Sequence, residues 1–309
     1  MKILEEPILR SLLDYREVIA RMRRALIAQS EGECETPLPM HLERLFQGGE
    51  AHIKAAARAG RRFVVKVATT FPGNVARDSA TGNGLSLLFS AETGEPLALL
   101  ADGGHLTDVR TAAAAAAVAA ELVRQDTALG ILGTGIQARW QARIHAEILP
   151  LKTIWLWGRN PERVQLCQQD LQVLLPHLAV RLAVSPQEVA AQARLLVTAT
   201  ASRAPLLCSA HLQPGTHISA VGSDAPGKQE LDPAILRAAA LLLVDSRAQC
   251  LRLGELQHAP EQAARAVEIG EFCREVAGYP RDGITVADFT GLGVEDLFIA
   301  EYCWERCHG

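Results

Sequence analysis

Apolar residues recur at helical spacing from Tyr15 to Ala28 with charged residues between them, a pattern that predicts an amphipathic helix. Asp14 stands immediately before it, where a carboxylate accepts the first free backbone N–H groups of a helix. From Phe63 to Thr70 the chain turns β-branched and apolar, broken only by Lys66, and it runs into Phe71-Pro72-Gly73-Asn74, a turn signal. Residues 85–89 and 96–101 read as two more strands around Thr93-Gly94-Glu95, and a helix follows from about Thr107. The pattern changes at Asp126. Short apolar strands at 128–132, 152–157, 180–184, 195–199, 216–221 and 241–244 then alternate with helical stretches, one running to Ile148 and others over 164–175 and 186–193. Strands alternating with helices predict parallel βαβ units and an α/β fold.

The chain has 309 residues, roughly two domains' worth and ample for a full core. A formal charge of −4 and a pI near 6.2 leave no basic footprint for nucleic acid or an anionic membrane. No apolar run reaches the ~18–20 residues that a membrane span needs, and Glu5, Glu6, Arg10 and Asp14 come too early for a secretory signal. Seven scattered cysteines, an odd number, fit reduced thiols better than a disulfide framework. Together these features predict a cytoplasmic protein. The tail Cys303-x3-Cys307-His308 has the wrong spacing for haem attachment and lacks a second ligand pair, so no metal site is expected. Alanine is the residue in excess. Six follow Thr111 before Val118, which predicts a closely packed buried helix.

The first candidate chemistry is Gly133-x-Gly135-x-x-Ala138, placed directly after an apolar strand and opening a helix. In a dinucleotide-binding turn the first glycine makes the tight bend and the second lets backbone approach a pyrophosphate. The small third residue lets helix and strand pack closely. Backbone at Ile136 and Gln137 would then face the anion at the helix N-terminus. No Gly-Lys-Ser/Thr follows, which excludes a P-loop. At the end of the second strand of this unit stands Trp157-Gly158-Arg159-Asn160, with no carboxylate before Glu162. A carboxylate there would select the ribose hydroxyl of NAD, whereas Arg159 and Asn160 suit the 2′-phosphate of NADP. The alternative for Arg159 is a solvated loop residue.

Three charged residues outside this turn carry the second candidate chemistry. Lys66 interrupts an apolar strand, where an unpaired buried ammonium would cost several kcal/mol, so it either meets an anion or faces water from an edge. Arg110 stands just before the alanine run in Asp102-Gly103-Gly104-His105-Leu106-Thr107-Asp108-Val109-Arg110-Thr111. Asp224 follows an apolar strand in Val221-Gly222-Ser223-Asp224-Ala225-Pro226-Gly227-Lys228-Gln229-Glu230-Leu231, where ligands of open α/β sheets gather. An Asp at that place also suits a simple turn.

Taken in order, Asp102 to Ala120, Gly133 to Ala138, Val221 to Leu231, Val244-Asp245-Ser246 with Gly254-Glu255, and Asp288 to Asp296 resemble the ornithine cyclodeaminase/mu-crystallin family over nearly the whole chain. The resemblance implies a Rossmann-type parallel-sheet domain at 121–294. It would be inserted into a discontinuous α+β substrate-binding and dimerisation domain made of 1–120 plus 295–309, in a homodimer. The implied substrate is a small imino or amino acid. Implied activities are reduction of cyclic ketimines such as Δ1-pyrroline-2-carboxylate to L-proline-type amino acids, ornithine cyclodeamination, and reductive amination of alanine-dehydrogenase type. By the same resemblance Lys66 and Arg110 hold the substrate carboxylate and Asp224 is the acid/base at the substrate nitrogen. Thr111 and Gly291 lie near the nicotinamide, and Thr198, Thr200, Val221 and Gly222 touch the nucleotide.

The chain departs from the family pattern near residue 40. Many members carry a basic residue after a proline pair there, and this chain has Thr36-Pro37-Leu38-Pro39-Met40-His41. Another departure is Ala51-His52-Ile53-Lys54, where many members have Met-Pro. His41 and Lys54 become candidate replacements for the missing substrate contact, and ornithine cyclodeamination is weakened as a reading. The leading expectation is an imine reductase with NADP(H) preferred and NAD(H) as the second choice.

Overall fold

A computed structural model of the chain describes residues 1–42, 48–77, 79–123 and 128–308. Asp126, where the apolar pattern changes, lies outside them. The chain divides into two compact units, Met1–Arg110 with Leu292–Gly309, and Thr111–Gly291. The dividing points fall at Arg110 and Leu292, against 120 and 295 read from the sequence, and the first lies within the helix His105–Leu122.

The first unit holds a mixed seven-stranded sheet. Its order is Lys2–Glu5, Pro96–Ala101, Gly82–Ser90, Arg62–Thr70, Glu50–Arg58 and Cys34–Glu35, with Met40–Leu42 also paired to Glu50–Arg58. Lys2–Glu5 runs parallel to its neighbour and the other pairs are antiparallel. Helix Tyr15–Ser30 forms where the pattern placed it, and Asp14 caps it by accepting the Arg16 and Glu17 N–H groups at 3.0 and 3.2 Å. Helix Gly293–Arg306 packs on the strand Glu50–Arg58. A β-carbon at Gly293 would stand 2.1 Å from the Ala55 carbonyl oxygen, so only glycine lets the first turn of that helix approach so closely.

The second unit is a doubly wound α/β layer. Its eight strands run in the order Ala179–Leu182, Thr153–Trp157, Leu129–Leu132, Leu195–Thr198, His217–Ala220, Thr285–Asp288, Leu241–Val244 and Val267–Glu268, all parallel. Alternate residues of each strand point to opposite faces. Leu132, Leu196 and Ile218 accordingly enter one buried aliphatic cluster, while Leu129, Ile131, Leu195 and Val197 enter another. The sequence order of strands reverses between Leu129–Leu132 and Leu195–Thr198, the switch point at which such sheets open a crevice beyond their strand ends. The expected strand 180–184 stops at Leu182, because Ser185 caps the next helix by accepting the Glu188 N–H, the Glu188 side chain takes the Val184 N–H, and Val184 faces solvent. Ala112 to Ala119 are all buried, as the alanine run predicted. Among the described residues, no helix is long and apolar enough to cross a membrane.

Candidate active site

At the switch point the chain opens a cavity of about 360 Å³, within the range of small-ligand sites. Gly133, Thr134, Gly135, Gly158, Arg159, Asn160, Arg163 and Thr200 are among the residues that line it. Gly133 has φ +132°, and a β-carbon there would lie 2.5 Å from the Ala199 carbonyl oxygen, so both conformation and space demand glycine. Gly135 precedes helix Ile136–Ile148, which has no side-chain N-cap, and a β-carbon on it would meet no protein atom within 4 Å. An uncapped helix start facing open space beside the turn fits a pyrophosphate. Ala138 is fully buried under the helix, while Ile136 is exposed at its start. Arg139 locks the turn from behind, donating to the Thr134 and Gly135 carbonyls at 2.8 and 3.1 Å and pairing with Asp170 at 2.5 Å.

Arg159 and Asn160 are both exposed at the cavity. Asn160 also has a structural task, since its Oδ1 accepts the Arg163 N–H at 3.1 Å and caps helix Pro161–Leu174. Arg163 lines the cavity together with Arg159, and no carboxylate among the described residues does.

Buried carboxylates shape the neighbouring loops. Glu230 accepts from the Thr200 N–H at 2.6 Å, the Thr200 hydroxyl at 2.7 Å and the Gly222 N–H at 3.0 Å. A β-carbon at Gly222 would collide with Glu230 and the Thr200 carbonyl. Thr198 and Val221 flank this knot, joined by the Val221 N–H to the Thr198 carbonyl at 2.9 Å. Asp245 accepts the Thr290 and Gly291 N–H groups, each at 2.7 Å, and Gln249 donates to the Gly291 carbonyl at 2.9 Å, which fixes Gly291 at φ +74°. Burial pushes the Glu230 carboxyl up, Glu255 well up, and Asp288 to about 7. These groups hold backbone and lie under the surface. Asp224 is different. It is half-exposed beyond the strand His217–Ala220, and Lys228 Nζ donates to its Oδ1 at 2.6 Å. Thr111 lies at the start of the second unit, half-buried in the alanine helix.

In the first unit Lys66 and Arg110 converge on one carboxylate. Lys66 Nζ lies 2.8 Å from Asp296, Arg110 Nε donates to Asp296 Oδ1 at 3.0 Å, and Arg110 Nη1 donates to Glu295 Oε2 at 2.9 Å. All four side chains are under 5 % exposed. The anion that Lys66 requires is thus part of the chain itself, and Lys66 sits on an interior strand with neighbours on both sides. Glu295 is held in turn, its Oε1 accepting the Leu292 N–H at 3.1 Å. Burial pulls the Lys66 ammonium down to about 7, with Asp296 pulling it up, while both cations hold the Asp296 carboxyl below its ordinary value. Lys54 stands directly across from Lys66 on the adjacent strand and His41 across from His52, so His41, His52, Lys54 and Lys66 share one sheet face.

Residues 7–309 match the ornithine cyclodeaminase/mu-crystallin family. The chain belongs to this family. It is 36% identical to an uncharacterized cyclodeaminase of Sinorhizobium fredii, over 99% of this chain and 96% of that one. It is 32% identical to a Δ1-pyrroline-2-carboxylate reductase of Bacillus cereus, over 96% and 94%. Among solved structures it is similar to Thermococcus litoralis Δ1-pyrroline-2-carboxylate reductase in complex with NADH and L-proline. That likeness has a TM-score of 0.90 and 25% identity, and it covers 100% of this chain and 98% of that chain.

Within this family member, sequence reasoning passed over Asp296, Glu295, Glu230, Arg139 and Arg163. Asp296 was available as the only kind of partner that a buried Lys66 and Arg110 could share, but nothing local linked residues 186 or more positions apart. Arg163 had a local signal, because an Asn160 N-cap turns the residue three positions on toward the same cavity.

Proposed function

We propose that this family member is an NAD(P)H-dependent reductase of 2-imino acids, with cyclic ketimines such as Δ1-pyrroline-2-carboxylate as the substrate class. The observation that carries this reading is the buried meeting of Lys66 and Arg110 on Asp296. Two cations held rigidly beside each other suit a carboxylate, because Arg presents five N–H donors and Lys three, more than Asp296 and Glu295 consume. Asp296 fixes both donors in advance, so less ordering entropy opposes binding. His41 and Lys54, on the same sheet face, serve the far end of the substrate.

Asp224 holds the proton on the imine nitrogen, which makes C2 a better hydride acceptor, and Lys228 fixes the carboxylate that does so. When bound, the reduced nicotinamide supplies the hydride. Gly133, Gly135, Ile136, Gln137 and Ala138 would hold its pyrophosphate, with Thr198, Thr200, Val221, Gly222 and Gly291 in the loops around it and Thr111 at the start of the alanine helix. Arg159 and Arg163 favour NADP(H) over NAD(H), since they offer two guanidinium groups and no carboxylate among the described residues lines the cavity.

The second reading is cyclodeamination of ornithine, and the similarity to an uncharacterized cyclodeaminase of Sinorhizobium fredii supports cyclodeamination as a reaction class. It calls for NAD+, which the arginine pair disfavours. Mixing the chain with NADPH and Δ1-pyrroline-2-carboxylate should consume the cofactor and yield proline. Proline and ammonia from ornithine with NAD+, without imine reduction, would overturn the first reading. Asp224→Asn should lower kcat by ~10²–10⁴-fold while NADPH binding holds; turnover near the wild-type rate would remove Asp224 from its role.

A homodimer is part of the proposal. Met40 and Leu42, beside His41, are 57 % and 44 % exposed on the opposite sheet face, and light scattering of the purified chain reads its mass directly. Seven scattered cysteines, an odd number, support a reducing, cytoplasmic setting.

A further inference from the structure

The strand pair that carries His41 brings three metal-capable side chains together. His41 stands opposite His52 in the antiparallel ladder, and Glu50 lies two residues before His52, so all three project from one face. His41 Nε2 is 3.1 Å and His52 Nε2 is 3.6 Å from the same oxygen, Glu50 Oε2. The two imidazoles stack with centroids 4.4 Å apart and planes 20° apart. One ligand atom from each residue falls within 4.8 Å of the others.

We propose that His41, Glu50 and His52 form a binding site for a divalent transition-metal ion of the zinc type. Zinc binds imidazole nitrogen and carboxylate oxygen at ~2.0–2.2 Å. Around a tetrahedral ion those bond lengths put neighbouring ligand atoms roughly 3.3–3.5 Å apart, and the 3.1 and 3.6 Å separations bracket that value. Two imidazoles with one carboxylate are a recurring three-ligand set that leaves a further position open. The three side chains are 13–22 % exposed, shielded enough to favour ligation over hydration and open enough to admit a fourth ligand.

The site shares its sheet face with Lys66. His52 is two residues from Lys54, which pairs across to Lys66, so the ion would lie roughly 7 Å along the strand from that pair. The fourth ligand is water or an oxygen or nitrogen donor of a bound small molecule. His41 is thereby recast from a direct substrate contact to a metal ligand. Metal binding itself does not depend on the imine-reductase reading.

The test uses the full chain without a histidine tag, stripped by chelator and titrated with Zn²⁺ alone in a calorimeter. One ion per chain should bind, and Co²⁺ in its place should give the visible absorption of a tetrahedral site. His41→Gln, His52→Ala and Glu50→Gln should each weaken binding by more than the ~10–100-fold that losing an outer-shell partner costs. Cys208→Ser controls for the Cys208–His211 pair, whose sulfur and ring nitrogens lie 3.2–3.4 Å apart, and should leave this binding unchanged. Absence of stoichiometric binding overturns the proposal, as does wild-type affinity in either histidine variant. Glu50→Gln and His41→Gln preserve side-chain volume, and an unchanged metal-free thermal unfolding curve separates lost ligation from lost folding.

Discussion

Asp296 is the pivot of the buried charge cluster, and Asp296→Asn removes its charge while keeping its shape. Among the described residues, the substitution leaves Lys66 with no contacting carboxylate and Arg110 with Glu295 alone. Removing one partner of a buried ion pair costs about 3–5 kcal/mol, because the remaining charge stays desolvated without compensation. That cost depends on pH in a direction that the structure fixes. Burial has already lowered wild-type Lys66 to about 7, below its ordinary 10.5. Between those values the unfolded chain binds the extra proton, so this group makes wild-type stability rise with pH. Without Asp296 to pull it up, Lys66 in the variant loses its proton at lower pH still.

The difference between the two proteins is therefore largest below pH about 7, where wild-type Lys66 is charged and paired. It shrinks as pH rises from the variant's lower value to about 7, and above that only the share that belongs to Arg110 is left. Urea unfolding followed by circular dichroism at pH values on either side reads the gap between the two midpoints. A gap that is equal on both sides, or a cost under about 1 kcal/mol on the acid side, would refute the assignment of Lys66 as the titrating partner of Asp296.

Gly133→Ala should weaken NADPH binding by at least about tenfold and destabilise the fold by roughly 1–3 kcal/mol, since φ +132° and the Ala199 carbonyl both oppose a side chain. Calorimetric titration with NADPH checks it, and wild-type affinity would show that the turn does not approach the cofactor. The double variant Arg159→Ala/Arg163→Ala should raise KM for NADPH by about 10–100-fold, the worth of one or two charged hydrogen bonds, and leave KM for NADH nearly unchanged. Equal losses for both cofactors would assign the pair to a general phosphate role.

The glycine turn was legible because its geometry is local. Strand, turn and helix are consecutive, so a tight bend at Gly133, an open helix start at Gly135 and a buried small residue at Ala138 followed from spacing alone. The same holds for the Asp14 cap and the buried alanine helix. Lys66 announced itself as a residue in need of an anion but did not reveal which one, because its partner lies 230 positions away. Asp224 with Lys228 is an intermediate case: the two stand four residues apart in one loop, but only the turn geometry between them makes a 2.6 Å contact.

What the sequence determined by itself follows from short-range rules. Periodicity set the alternation of strands and helices, glycine and small residues marked the turns that must come close to something, and motif order pointed to one unit inserted in another. The tertiary structure alone decided which charges neutralise one another and which side chains share a sheet face. Cross-strand register set His41 opposite His52 and Lys54 opposite Lys66. The close approach of Gly293 to Ala55 seats the helix that carries Glu295 and Asp296. Both are properties of pairing between distant segments. Hydrogen bonds and contact ion pairs form only within about 3–4 Å, so the partners of a buried charge are known only once those segments have met.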